Sequence, residues 1–156
     1  MPLAGDETAG ELTAELADVG AGLLAISLPP YLAGAITPEP QHESRARWAP
    51  KLTSGDGELR FTEAAELLER RVRAMDPEPG AWTTFRGQRL GVVRASVAGG
   101  RGGEHGTLEL REGMPHVAAG AGWLRLDEVK PAGKRAMKGD AWARGLRDTT
   151  EARLPS

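Results

Sequence analysis

The stretch Ala81-Trp82-Thr83-Thr84-Phe85-Arg86-Gly87-Gln88-Arg89-Leu90-Gly91-Val92-Val93-Arg94-Ala95-Ser96-Val97 decides the fold. Its β-branched and aromatic residues recur with a period of two, the side-chain alternation of a strand. Trp82 to Arg86 and Leu90 to Val97 therefore read as strands, and Arg86-Gly87-Gln88 between them suits a hairpin. Further short runs follow at Thr107 to Leu110, Pro115 to Ala118 and Trp123 to Val129, punctuated by Glu112-Gly113 and Gly120-Ala121-Gly122. Short strands in an open sheet leave edges that pair with other chains, so five of them predict a small closed or half-closed barrel. A last helix, Lys138 to Arg147, is expected to lie against it through Ala141, Trp142 and Leu146.

Upstream of the strands the period lengthens to that of helices. Thr62 is the expected N-cap of a helix with Glu63 and Glu66 in its first turn. Ala64, Leu68, Val72 and Met75 share a face, and Arg70, Arg71 and Arg73 fall towards the C-terminal end, where the helix dipole favours cations. Asp76-Pro77-Glu78-Pro79-Gly80 ends it. Residues 37–60, with Pro38, Pro40, Pro50 and Gly55 among polar residues, read as an extended linker. At the start, Thr8 and Glu11 have capping-box spacing, and Leu12, Leu16, Val19 and Leu23 form one helical stripe. Pro29-Pro30 is expected to stop or kink the next apolar stretch, Leu23 to Leu32. Residues 1–36 would then be a pair of helices with a buried stripe and no layer of their own to pack on, the tail of a larger layered domain. The fold class is α+β: a helical tail of a truncated α/β domain (1–36), a linker (37–60), a barrel domain with a flanking helix (61–147) and a tail (148–156).

Composition sets limits. Among 156 residues, 21 glycines and 11 prolines predict many turns and no long uninterrupted helix. The absence of cysteine removes disulfides, thiol nucleophiles and cysteine-ligated zinc, and fits a reducing cytoplasm. The start has no basic or apolar leader, and the run from Leu23 to Leu28 is too short to span a bilayer, so a soluble cytoplasmic chain is expected. The net charge of −2 hides an asymmetry. Residues 1–50 carry −5, while residues 130–147, with Lys130, Lys134, Arg135, Lys138, Arg144 and Arg147 against Asp140, carry +5. That stretch is either a solvated basic face or a phosphate-binding surface.

Catalytic constellations are not found. His42, His105 and His116 are far apart and stand at no ligand spacing, so no metal is expected. Gly99-Gly100-Arg101-Gly102-Gly103 lacks the Lys-Ser or Lys-Thr and the following helix of a phosphate cradle, and reads as a loop. No serine has a His and Asp partner. Basic residues beside aromatics remain: Trp82 and Phe85 flank Arg86 and Arg89, and Trp142 precedes Arg144. Each aromatic reads first as core, and secondly as a stacking or cation–π partner for nucleic acid.

Three stretches in order resemble the second half of the methionyl-tRNA formyltransferases: Trp48-Ala49-Pro50-Lys51-Leu52-Thr53, Pro77-Glu78-Pro79-Gly80-Ala81-Trp82-Thr83-Thr84 and Lys130-Pro131-Ala132-Gly133-Lys134-Arg135. The similarity runs from about Gly5 to Gly145. Gly5 to Leu12 resembles the segment just after the family's catalytic aspartate, and Gln41 with Ala49 to Thr53 resembles its linker. Pro131 to Arg135 with Met137 resembles a basic closing loop, and Trp142 to Gly145 the terminal helix. Departures are Asp76 and Glu78, where the family often has Asn and Trp, and Pro29-Pro30 in a helix usually whole. The resemblance implies an OB-like barrel that holds initiator methionyl-tRNA through Lys51, Arg73, Arg86, Lys130, Lys134, Arg135 and Lys138. It implies transfer of a formyl group from 10-formyltetrahydrofolate, by an asparagine, histidine and aspartate of a first half without counterpart here. The chain has no asparagine. No catalytic, cofactor-binding or metal residue is therefore assigned, and a separate or missing N-terminal formyltransferase domain is the implied partner. Two alternatives stand beside this reading: a free-standing barrel that binds RNA or protein without formylation, and a sugar formyltransferase of the same two-domain plan.

Overall fold

The computed structural model describes residues 2–100, 102–146 and 153–155. Six antiparallel strands form one sheet: β1 (Ala81–Phe85), β2 (Gln88–Ala98), β3 (Leu108–Arg111), β4 (Met114–Ala118), β5 (Trp123–Pro131) and β6 (Met137–Lys138). The long strands β2 and β5 pair from Leu90 opposite Pro131 to Ala98 opposite Trp123, with register shifts around Arg94 that bend the ribbon. The far edge of β5 is shared by β4, opposite residues 123–125, and by β6, opposite Glu128 and Val129. All five expected strands are present, each within three residues of its expected ends. The hairpin is tighter than expected: Phe85 pairs with Gln88, leaving the two-residue turn Arg86-Gly87 with φ of 49° and 74°. That is the left-handed pair a twisted hairpin requires.

Closure is where expectation and structure part. The strand order β1-β2-β5-β4-β3 is an open path, and among the described residues no ladder joins β1 to β3. The edges are managed locally instead. The Leu59 amide donates to the Trp82 carbonyl at 2.8 Å, laying the preceding segment along β1. At the other end the Leu154 amide donates to the Gly106 carbonyl at 2.8 Å, just before β3.

Helix α2 (Ala65–Met75) begins later than expected, with Ala64 rather than Thr62 at its cap. Glu63 is drawn away from the helix start by Arg71, which donates to both its carboxylate oxygens at 3.0 and 2.8 Å. The buried face shifts accordingly to Ala65, Leu68, Val72 and Met75. It closes the core against Val92, Leu124, Leu126 and Val129 of β2 and β5, with Leu59 and Phe61 from the entering segment. The last helix, α3 (Gly139–Arg144), is shorter than expected, and the expected end at Arg147 lies outside the described residues, as does most of the tail. It packs through Trp142 and Ala143, with Leu146 against the core, whereas Ala141 is exposed. Phe85 meets the Trp142 ring edge-on at 5.1 Å, so both aromatics are core residues.

The N-terminal segment corrects several expectations. In place of a pair of helices with a buried stripe, and against the expectation of no long uninterrupted helix, the 24 residues Ala9–Leu32 form one helix, α1, that runs through Pro29-Pro30. The prolines sit in its last turn, where only the carbonyls of Ala25 and Ile26 lose amide donors, and these residues are exposed to water. The chain still makes another turn, with the Ala33 amide donating to the Pro29 carbonyl at 3.1 Å. By length and composition this helix is also long and apolar enough to cross a membrane. The apolar run from Leu23 to Leu28 understated this, since intervening Ala, Gly and Ser keep a helix apolar. The capping box, by contrast, is as expected: the Glu11 amide donates to Thr8 Oγ1 at 3.2 Å and the Thr8 amide to Glu11 Oε2 at 2.9 Å. None of the helix is buried. It meets the body at its start, where the Gly10 amide donates to the Asp76 carbonyl at 3.0 Å and a Cβ on Gly10 would come within 2.8 Å of Pro77.

Candidate nucleic-acid interface

Trp82, Gly91 and Lys130 stand opposite one another across β1, β2 and β5, so their side-chain positions share one face of the sheet. Gly91 leaves a dip between indole and lysine. A Cβ there would press on the Lys130 Cβ at 3.3 Å and fill the floor. The dip continues as a groove of about 490 Å³, walled by Asp76, Pro77, Pro79 and Gly80 on one side and by Pro131, Ala132, Gly133 and Ala136 on the other.

The aromatic side of the groove is fixed. Trp82 Nε1 donates to the Ser54 carbonyl at 2.7 Å, and Arg89 donates to Ser54 Oγ at 3.0 Å. The Arg89 guanidinium lies 4.4 Å from the centre of the Trp82 ring, a cation–π stack. Ser54 opens a 3₁₀ turn (Ser54–Gly57) held by Asp56, whose carboxylate accepts from the Thr53 amide and hydroxyl, both at 2.7 Å. The hydroxyl first, and the amide with it, hold the Asp56 carboxyl below its ordinary range. A segment expected as open linker is thus held on the sheet by Ser54 as well as by the Leu59 amide. Lys51, exposed, is three residues from Ser54 and so within about 11 Å of it along the backbone.

The seven residues singled out in the sequence divide. Lys130, at the end of β5, lines the groove, and Lys134, Arg135 and Lys138, all exposed, follow it through the β5–β6 turn into β6. Lys138 faces a counter-charge, because it and Arg144 both act on Asp140. The Arg144 guanidinium bonds that carboxylate at 2.8 Å and chiefly accounts for its lowered pKa. Arg86 is exposed at the hairpin tip, its guanidinium 5.2 Å from the Phe85 ring centre. Arg73 is engaged elsewhere: it donates to Glu69 at 2.6 and 3.2 Å and to the Glu7 carbonyl at 3.0 Å. The Glu69 bond raises its pKa further. Arg73 is therefore a strap from α2 to the start of the chain.

Arg89 and Ser54 were outside that set. Arg89 was noted only as a basic residue near aromatics, one position before the expected strand at Leu90; β2 in fact begins at Gln88 and puts Arg89 on the face of Gly91. Nothing in the sequence marks Ser54. Among the described residues no three His, Asp or Glu side chains converge as metal ligands. His116 is buried, with Nδ1 3.0 Å from the Met114 carbonyl.

Residues 51–147 match the family described as "Formyl transferase, C-terminal domain". The chain is 43% identical over 156 residues to the methionyl-tRNA formyltransferase of Roseiflexus sp. (strain RS-1), covering 99% of this chain and 48% of that protein. It is 44% identical over 141 residues to the one from Chloroflexus aurantiacus, covering 88% and 46%. It spans about half the length of these curated relatives. Among solved structures, HypX from Aquifex aeolicus, A392F-I419F variant, superposes with a TM-score of 0.70 at 17% identity, over 98% of this chain and 30% of that one, a likeness of fold.

Proposed function

This chain belongs to the formyltransferases through their C-terminal domain, and from that premise we propose that it is the RNA-holding portion of a methionyl-tRNA formyltransferase. The single observation that carries the reading is the run of exposed cations from Lys130 through Lys134 and Arg135, beside a groove whose opposite wall is moored next to Lys51. Cations so arranged hold a phosphate backbone whatever its sequence, which positions RNA without reading its bases. Lys138 and Arg86 extend the surface at either side, and Arg73 serves it indirectly by holding the N-terminal segment. In this reading 37–60 is a linker, 61–147 an OB-like domain built on the open sheet, and 1–36 the C-terminal helical part of a truncated α/β formyltransferase domain.

The reaction of the complete enzyme is then formyl transfer from 10-formyltetrahydrofolate to the amino group of initiator methionyl-tRNA, in the cytoplasm at translation initiation. The amine must attack the formyl carbon, which requires donors for the developing oxyanion and a base for the amine proton. The described residues offer no such set, so this portion contributes by proximity and orientation. Mixing the 156-residue chain with a separately expressed formyl-donor domain tests the proposal. Formylation of methionyl-tRNA recovered only in the mixture supports it. No formylation from two folded partners, or formylation by this chain alone, refutes it.

A further inference from the structure

We propose that the Arg89 guanidinium, laid over Trp82 and pinned by Ser54, is a stacking platform for one unpaired nucleobase, whose phosphate is taken by Lys130 across the groove. The inference rests on the RNA-holding reading and adds to it a particular conformation of the RNA.

Three observations point the same way. The platform is rigid and presented: Arg89 is exposed, and its orientation is set by both the indole and the Ser54 hydroxyl. Among the described residues it is in no ion pair, so its charge is not spent on a carboxylate. The other arginine–tryptophan stack differs on both counts. Arg111 lies 3.8 Å from the Trp123 ring centre, but it is bonded to Glu109, and Trp123 is 1% exposed. The third observation is the groove, whose 490 Å³ falls within the roughly 300–1,000 Å³ of small-ligand sites. It carries a lysine on the side facing the stack, with the dip at Gly91 between them.

A planar cation stacks on a flat π-system, and an ammonium two strand spacings away, about 10 Å between backbones, suits a phosphate. Together these select a nucleotide. The base must be unpaired, because an A-form duplex hides its base faces in the stack and offers only backbone and shallow minor-groove edges. The bound RNA thus has at least one nucleotide splayed from its helix, or a single-stranded end, lying over β1 and β2.

The test uses the full chain, with short oligoadenylate, an abasic ribose-phosphate oligomer of equal charge, and tRNA as probes, followed by fluorescence anisotropy at low salt. Arg89→Lys keeps the charge and loses the plane; Arg89→Ala loses both. Because residue 89 is exposed, both variants are expected to melt as the parent does. The proposal predicts that both weaken oligoadenylate binding by about tenfold while leaving the abasic oligomer within about twofold. If Arg89→Lys binds oligoadenylate like the parent, or the abasic oligomer binds as tightly as oligoadenylate, the platform is refuted. Retained salt-sensitive tRNA binding then leaves the RNA-holding reading standing. If neither oligoadenylate nor tRNA binds at low salt, both fail together.

Discussion

Replacing Lys130, Lys134 and Arg135 together by Gln removes most of the cations in the groove's basic rim, and its effect on RNA binding can be worked out beforehand. Among the described residues none of Lys51, Lys130, Lys134 and Arg135 is in an ion pair, so each is available to a phosphate. Arg89, committed to the indole, is left out of the count, and Lys138 is discounted because Asp140 shares its field. Four phosphates neutralised at about 0.7–0.9 counterions each give a slope of log K against log salt near −3. A roughly fourfold rise in salt then weakens the parent by about a hundredfold. The triple variant retains Lys51, its slope falls to about −1, and the same rise weakens it only about fourfold. The three positions are exposed, so stability should change by less than about 0.5 kcal/mol. Anisotropy of labelled tRNA over a salt series, with a denaturant melt of each protein, measures both. A triple variant with the parent's slope would refute the assignment. So would a Lys138→Gln variant whose slope falls by as much as that of the triple, because Asp140 already partly neutralises that lysine.

Arg86 holds φ at 49°, which costs an ordinary L-residue about 1–2 kcal/mol. Asn adopts that conformation more readily than Ala, so the melting midpoint of Arg86→Asn should be no lower than that of Arg86→Ala. Leu68 is fully buried between α2 and the sheet whereas Leu67 is 51% exposed, so urea unfolding should show a loss of about 2–5 kcal/mol for Leu68→Ala and under about 0.5 kcal/mol for Leu67→Ala. Asp56 has its folded pKa depressed by the Thr53 hydroxyl and amide. Its contribution is thus complete above the ordinary value of 3.8 and is lost as pH falls through the lower folded value. The Trp82 indole Nε1–H, bonded to the same turn, should follow that acid step by NMR in the parent and not in Asp56→Asn.

How much of this was legible in the sequence depends on the range of the interactions involved. Strands β1 to β5 were, because each carries its own period of two and its own Gly-rich turns, whereas the two-residue β6 carries neither. The Thr8–Glu11 capping box, which is complete within four residues, was legible too. The start of α2 was not, since Glu63 was claimed by Arg71 eight residues on. Nor was the openness of the sheet: edge protection was anticipated correctly as a need, but Leu59 and Leu154 meet it from segments with no strand period. In the candidate site the basic run was legible as composition, and the aromatic neighbours were visible without their roles. Phe85 belongs to the core with Trp142, whereas Trp82 is drawn to the surface by Arg89 and Ser54. The strand alternation puts these two on opposite faces, but which face packs inward is settled by contacts such as the one from Trp82 to Ser54, spanning 28 residues.

The same short loop, Asp76-Pro77-Glu78-Pro79-Gly80, serves two ends of the molecule. On one side it receives α1: the Asp76 carbonyl accepts from Gly10, Pro77 fits where Gly10 has no side chain, and Arg73 just before it holds the Glu7 carbonyl. On the other side Asp76, Pro77, Pro79 and Gly80 wall the groove that faces Trp82 and Lys130. Proline fixes its own φ and the glycine is bonded back to the Met75 carbonyl at 2.9 Å, so the loop has little freedom to absorb a shift at either side. The loop therefore sets where the acidic N-terminal helix departs from the same residues that set the width of the basic groove. A partner seated along the bare length of α1 would be held at a defined place relative to RNA in the groove. That is the geometric requirement for one half of an enzyme to present a bound acceptor to another.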